Sequence, residues 1–306
     1  MWGYILSSTF IVFQLWLFSG VQSGLQAQKA VILATVDVVN VVCTVRDRQG
    51  NYVSDLTKED FQLVEDKKQQ HIDFFYNESG DNAQPLTIVL LVDTSGSVRE
   101  KLAFEQMASS EFLRRTLRTD KDMAAIVQFD SDINLVQNFT YDHDLLNDAI
   151  LDMRAGGSTK LYDAIWIAVK DLLSQEVGRK IIVILSDGAD TSSLISEQEA
   201  IRTAQKNDVV IYGIGIRSRG FTSNFGKLKR FAKSTGGVFF NSKANLEQLK
   251  KAFDRINLEI KNQYLLSYVS TNKKRNGSYR KIVVKAQNKS HKINHRKGYY
   301  SASTDH

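Results

Sequence analysis

Leu86-Thr87-Ile88-Val89-Leu90-Leu91-Val92-Asp93-Thr94-Ser95-Gly96-Ser97-Val98 is the stretch from which the fold is read. From Leu86 to Val92 it carries no charge and is rich in β-branched residues. That composition suits a strand buried on both faces at the centre of a parallel sheet. The run then breaks into one carboxylate and two spaced hydroxyls, and helical spacing resumes from Glu100. Open α/β sheets place ligand sites where a polar turn leaves the carboxyl end of a central strand. Asp93, Ser95 and Ser97 are therefore expected to converge on a crevice.

Strand and helix patterns alternate downstream. A helix is expected over residues 98–118, with Leu102, Phe104, Met107, Phe112 and Leu113 at helical spacing. Further helices are expected at 143–153, 160–175, 196–207, 224–234 and 245–261, with strands at 122–129, 133–139, 180–186, 209–216 and 238–241. Together they give an α/β fold, a doubly wound and mostly parallel sheet of Rossmann-like design. Pro85, the only proline, stands as its boundary marker.

Asp93-x-Ser95-x-Ser97 after an apolar strand resembles the first loop of the metal-ion-dependent adhesion site in von Willebrand factor type A (VWA) domains. Two further pieces follow in that family's order. Thr159 ends the loop Ala155-Gly156-Gly157-Ser158-Thr159, and Asp187 ends the apolar strand that starts at Ile181. The segment from Leu56 to Phe61 and the terminal Arg296-Lys297-Gly298-Tyr299-Tyr300 also resemble bacterial secreted proteins of the VWA-related class.

The resemblance implies a Mg2+ or Mn2+ ion held by Asp93, Ser95, Ser97, Thr159 and Asp187. Ser95 and Ser97 would coordinate through their hydroxyls, Asp93 would hold a metal-bound water, Thr159 would bind directly or through water, and Asp187 mainly through water. Magnesium takes six oxygens at about 2.1 Å and sheds water reluctantly, which suits hydroxyls backed by one or two carboxylates. With only two carboxylates the ion keeps much of its charge, and an open position is left for a Glu or Asp of a protein ligand. The implied function is non-catalytic binding by a secreted or surface-attached module.

Asp93, Ser95 and Ser97 would also suit plain capping of the following helix, and a metal held by them could instead join the subunits of an envelope structure. An aspartyl-phosphate phosphohydrolase would need an acid where Ser95 stands. Asp190 is expected to cap a turn, Asp163 to favour a helix start, and Asp130 and Asp132 to lie in a solvated turn or hold a second cation.

The flanks read differently. Residues 28–80 and 263–302 carry short strand patterns, with a helical turn at 56–60, strands around the turn at 65–68, a hairpin-type turn at Asn276-Gly277, and strands at 264–269, 279–286 and 292–300. Neither set suffices to bury a face alone, so they are expected to pair into a smaller discontinuous β-sandwich domain flanking the VWA domain, residues 85–262. Residues 1–27 contain the uncharged run 2–18 and read as a signal peptide cleaved near Ser23 or Ala27, or as an uncleaved anchor.

The chain has 306 residues, 42% of them hydrophobic, and a net charge of +6. Ten of its positive charges lie between Lys273 and Lys297, a region with no acid. These are expected on a solvated strand face that could meet an anionic envelope surface, with no nucleic-acid motif beside them. The single cysteine, Cys43, excludes an intramolecular disulfide and is expected to be buried on a strand. The five histidines show no metal-ligand spacing, and His291 and His295 are expected at the surface.

Overall fold

The computed structural model describes residues 38–80, 83–217, 225–243 and 245–303. The expected signal peptide or anchor and the opening of the first expected strand lie outside them. Strands β1 (Val38–Arg46), β2 (Phe61–Glu65), β3 (Lys68–Gln70) and β4 (Phe74–Asn77) come first. Next come β5 (Leu86–Asp93), α1 (Leu102–Thr116), β6 (Met123–Phe129), β7 (Ile133–Thr140), α2 (His143–Asp152) and α3 (Leu161–Ile167). They continue as β8 (Arg179–Ser186), α4 (Glu197–Lys206), β9 (Val209–Ile216), α5 (Gly226–Thr235), β10 (Phe239–Ser242) and α6 (Leu246–Lys261). Last are β11 (Gln263–Val269), β12 (Tyr279–Ala286), β13 (Lys292–His295) and β14 (Gly298–Tyr300). No helix among the described residues is long and apolar enough to cross a membrane.

The central sheet has the order β10-β9-β8-β5-β6-β7 and is parallel except for β7. Every residue of β5 and β9 is buried, because helices cover both faces. Successive side chains point to opposite faces. Ile88, Leu90 and Val92 therefore join a core with Phe112, Phe253 and Ile256, while Val89 and Leu91 join another with Ala164, Ile165 and Phe231. After β5 the chain pairs first on one side, with β6, and later on the other, with β8. That reversal opens a crevice at the carboxyl ends of β5 and β8, where such sheets receive ligands.

Two antiparallel sheets, β13-β1-β11-β4 and β14-β12-β2-β3, share a core built on Val41, Cys43, Leu63, Tyr264, Leu266 and Ile282. Each mixes strands from before β5 with strands from after α6: β1 and β4 flank β11, and β2 pairs with β12. The end of α6 is fastened to β1, where buried Glu259 accepts from Thr44 Oγ1 at 2.9 Å and pairs with Arg46.

The Asn276-Gly277 turn is not a hairpin between its flanking strands, because β11 and β12 belong to different sheets. Asn276 instead bridges Ser303. Residues 292–300 form two strands rather than one, crossing between sheets at Arg296 and Lys297. Gly298 permits the crossing, since a Cβ there would stand 2.2 Å from the Arg280 carbonyl oxygen. In place of the one strand that the sequence suggests over 71–76, β3 pairs with β2 from Lys68 and β4 starts at Phe74 in the other sheet. Asp66 and Lys67, with φ of 46° and 71°, make the tight two-residue turn that lets β2 pair at once with β3.

Phe104 and Met107 are exposed and Glu105 is buried in their place. Arg280 and Arg296, placed by expectation on a solvated face, are buried in ion pairs with Glu65 and Asp208.

His295 is buried, not superficial. Its Nε2 accepts the Val284 N–H at 3.2 Å and its Nδ1 faces the Arg296 carbonyl, a pattern that fits the neutral ring. Burial first, and Lys297 second, push it down to about 4. Its contribution to stability is fully present above the unfolded value of about 6.5 and is lost as pH falls through about 4, a loss of about 3 kcal/mol. Denaturant unfolding between pH 7.5 and 4 is expected to show this loss in the native chain and a smaller one in His295→Gln; equal losses would contradict the assignment.

Candidate metal centre

The first loop begins where β5 runs out of apolar residues. Asp93 is fully buried, and Thr94 N–H bonds to Phe129 O at 2.9 Å, tying the loop to the end of β6. Both Asp93 oxygens are committed: Oδ1 accepts Ser95 N–H at 2.9 Å and Oδ2 accepts Ser186 Oγ–H at 2.6 Å. The first bond fixes the turn that sets Ser95 and Ser97 side by side, their hydroxyls 3.1 Å apart. Ser97 Oγ donates to Asp187 Oδ2 at 2.8 Å, and Asp187 Oδ1 accepts Ala189 N–H at 3.0 Å. Asp93, Ser95, Ser97 and Asp187 thus form one continuous polar cluster, joined by a hydrogen bond between residues 90 apart in sequence.

The second loop closes on the first through its backbone. Gly156 N–H bonds to Thr94 O at 2.7 Å and Gly96 N–H to Gly157 O at 3.2 Å. Gly157 has φ of +78°, and a Cβ there would meet Ser131 Oγ at 2.7 Å, so this close approach needs glycine. Thr159 is buried at the end of this loop. Its carbonyl accepts Thr191 N–H at 2.9 Å and Ser192 N–H at 3.2 Å, which joins it to the loop after Asp187. Its side chain stands outside the hydroxyl–carboxylate chain among the described hydrogen bonds.

The neighbouring acids are occupied structurally. Asp190 accepts from Ser193 Oγ at 2.6 Å and Tyr162 N at 3.3 Å. Asp163 accepts from the Leu194 and Ile195 backbone, and Asp130 from Thr94 Oγ1 at 3.0 Å.

A serine hydroxyl that donates its proton to a carboxylate keeps its lone pairs for a cation. Ser97 is such a hydroxyl, and with Ser95 Oγ beside it and two carboxylates flanking the pair it forms a hard-oxygen donor set of the kind magnesium and manganese favour. Among the described residues there is no cluster of three or more His, Cys, Asp or Glu suited to a metal. Burial pushes the Asp93 carboxyl up to about 6, with Ser186 and Ser95 opposing and Asp187 adding to the rise. Its stability contribution is therefore fully present below the unfolded value of about 3.9 and lost as pH rises through about 6, costing the metal-free chain about 3 kcal/mol. In chelator, Asp93→Asn is expected to remove this decline from the unfolding free energy between pH 4 and 7; an unchanged profile would contradict it.

Three residues at the site carry no motif that marks them in the sequence. Ser186 orients Asp93 from the end of β8. Lys101 and Glu105 lie at the start of α1, 6% and 0% exposed. Burial raises the Glu105 carboxyl well above its usual value; Asp93 and Asp187 add to this, and Lys101 opposes it. A weaker signal does exist: Leu102, Glu105, Ser109, Phe112 and Thr116 share one helical stripe, all buried, with an acid among them.

The family model for the von Willebrand factor type A domain matches residues 87–255. A protein of Borreliella burgdorferi described as uncharacterized is 32% identical over 139 residues, 43% of this chain and 40% of its own length. The chain therefore spans less than half of that relative. Among solved structures, proximal thread matrix protein 1 from the mussel byssus, with a zinc-occupied MIDAS motif, matches with a TM-score of 0.52 and 18% identity, over 68% of this chain and 50% of that one. BatB from Bacteroides thetaiotaomicron matches with a TM-score of 0.48 and 18% identity, over 57% of this chain and 97% of that one. The family match takes in more than half of the 306 residues and covers the sheet and the loops at its carboxyl edge, so the chain belongs to the von Willebrand factor type A domain family.

Proposed function

We propose that this chain is a non-catalytic binding module that takes a divalent ion, Mg2+ or Mn2+, at the carboxyl edge of its central sheet and uses it to hold a carboxylate of a protein partner. The observation that carries this is the Ser95–Ser97–Asp187 hydrogen-bond chain beside buried Asp93, assembled from two distant strand ends. Ser95 and Ser97 are the direct ligands in this proposal, Asp93 and Asp187 act through water, and Thr159 completes the set from the loop that packs on Thr94 and Gly96. When bound, the ion supplies a Lewis-acidic position for a Glu or Asp side chain. The residues themselves orient the hydroxyls and limit the negative charge around them. The zinc named at the corresponding motif of the mussel protein supports divalent-ion binding.

The same proposal includes secretion or surface attachment through residues 1–27, supported by the uncharged run 2–18. It also includes a discontinuous β-sandwich domain of residues 28–80 and 263–302, supported by the β1–β11 and β2–β12 pairings. Lys281, Lys285 and Lys292 stay exposed on this part, a surface that could meet an anionic envelope. The test is capture from envelope extracts of the native source on the immobilised chain, with and without chelator and with Asp93→Ala as control. A partner released by chelator and not held by Asp93→Ala is the expected result; retention in both conditions would overturn the proposal.

A further inference from the structure

The outer face of the sheet β14-β12-β2-β3 carries a cluster of lysines. Arg280, Ile282 and Val284 of β12 are buried on the inner face, so Tyr279, Lys281, Val283 and Lys285 stand on the opposite one. Val283 pairs with Val64 of β2 and Lys285 with Gln62, which puts both partners on that same outer face. Asp66 N–H bonds to Lys281 O at 2.9 Å, and Asp66 Oδ1 accepts Lys281 N–H at 2.9 Å. These bonds tie the β2–β3 turn to β12 and hold Lys67 beside Lys281. Lys67, Lys281 and Lys285 are exposed and border an open hollow of about 650 Å³ that Val64 and Val283 also line. Among the described residues their ammonium groups pair with no carboxylate, and Asp66, the one acid at the hollow, is bonded to the backbone.

Lysines often guard the open edge of a sheet, but β12 is an inner strand, so edge protection does not account for Lys281 and Lys285. Lys67 has φ of 71°, a left-handed conformation that glycine adopts without strain and lysine does not. Turn geometry alone would favour glycine there. Lys281 and Lys285 lie about 13 Å apart along their strand, and Lys67 stands across from Lys281 on the neighbouring hairpin. The three charges therefore mark the corners of a triangle rather than points on a line, and a plane of positive charge complements a negative surface better than a single extended chain. At one end of this face the Tyr279 and Tyr300 rings pack edge to face with centroids 5.1 Å apart, and Tyr279 is 46% exposed. Tyrosine suits a lipid headgroup layer, which is apolar on one side and wet on the other. We propose that this face docks on an anionic phospholipid surface, with Lys67, Lys281 and Lys285 against lipid phosphates and Tyr279 at headgroup level. The inference rests on the envelope contact included above and names its partner, and the metal centre has no part in it.

The test is partition of the full chain, in chelator and about 0.1 M salt, onto vesicles of phosphatidylcholine alone and of phosphatidylcholine mixed with phosphatidylglycerol. The run 2–18 has no charge with which to tell the two apart, so the readout is the ratio of the two partition coefficients. Each lysine at an anionic surface contributes about fivefold. The triple variant Lys67→Gln, Lys281→Gln, Lys285→Gln is expected to lower the ratio about a hundredfold. A control, Lys170→Gln, Lys206→Gln, Lys233→Gln, removes the same charge from exposed helical positions and should stay within about twofold of native. Lys67→Gly, freed of the left-handed strain, serves as a second variant should the sheet variant fold poorly by far-UV circular dichroism. It should melt no lower than the native chain and lose about fivefold in ratio. Equal losses in the two triple variants would mean that net charge alone acts, and a ratio kept by the sheet variant would place the contact elsewhere; either result overturns the inference while the envelope contact stands. A native ratio near unity, with retention on dextran sulfate lost only in the sheet variant, would make a soluble polyanion the occupant and overturn the lipid assignment. A native ratio near unity without such retention overturns the envelope contact itself, and this inference with it.

Discussion

Glu65→Ala is expected to cost about 3–5 kcal/mol of folding stability, the scale of breaking a buried ion pair by removing one partner. Glu65 ends β2 at 2% exposure and accepts from Tyr268 Oη at 2.6 Å, Tyr299 Oη at 2.9 Å and Ser270 Oγ at 2.6 Å. The Arg280 guanidinium, itself 4% exposed, lies 3.6 Å away and also bonds Ser270, Tyr299 and the Asn272 carbonyl. Alanine would leave that guanidinium buried with neutral partners only, and two tyrosine hydroxyls without their acceptor. Because Glu65 lies on β2 and Tyr268 on β11, a strand of the other antiparallel sheet, the loss should appear as separation of the two sheets. Urea unfolding measures it. Glu65→Gln should lose less, since the amide oxygen can still accept from a tyrosine. A loss below about 1 kcal/mol for Glu65→Ala would mean that the cluster does not hold the sheets together.

The second large effect follows from linkage at the proposed metal centre. An ion at about a hundred times its dissociation constant stabilises the folded state by about 2.7 kcal/mol. For a chain of 306 residues that is a rise of about 4 °C in melting temperature. Asp187→Ala should abolish the rise, because Ser97 loses its acceptor and the centre loses one of its two innermost carboxylates. It should not lower the metal-free melting temperature much, since it also removes a charge that repels buried Asp93. Scanning calorimetry with chelator and with Mg2+ separates the two contributions. Equal shifts in the native chain and in Asp187→Ala would place the stabilising ion elsewhere.

The parts of the fold that the sequence made legible are those where burial alone determines the pattern. β5, β8 and β9 are apolar over nearly their whole length because both faces are covered. Asp93, Ser95, Ser97 and Asp187 were legible because polar residues ending such a run must lie at a sheet edge.

Helix phase was less legible. In α1 the apolar residues Phe104 and Met107 compete with Leu102 and Phe112 for the inner stripe, and Glu105 takes the position that a hydrophobicity pattern assigns to a neighbour. The antiparallel sheets hid their partition for a different reason. β11 and β12 are separated by a plausible turn, yet each pairs with a strand from before β5, and local sequence carries no information on such distant pairing. Likewise Arg280 and Arg296 look like surface charges until Glu65 and Asp208 are brought to them.

In the proposed function, two serine hydroxyls and two aspartates from separate strand ends hold one divalent ion. Calorimetric titration of Mg2+ and Mn2+ into the purified chain and into the double variant Ser95→Ala, Ser97→Ala tests it most directly. One ion per native chain and no measurable uptake by the double variant are expected, with the fold of both unchanged by circular dichroism. Equal uptake by the two proteins, or none by the native chain, would contradict it.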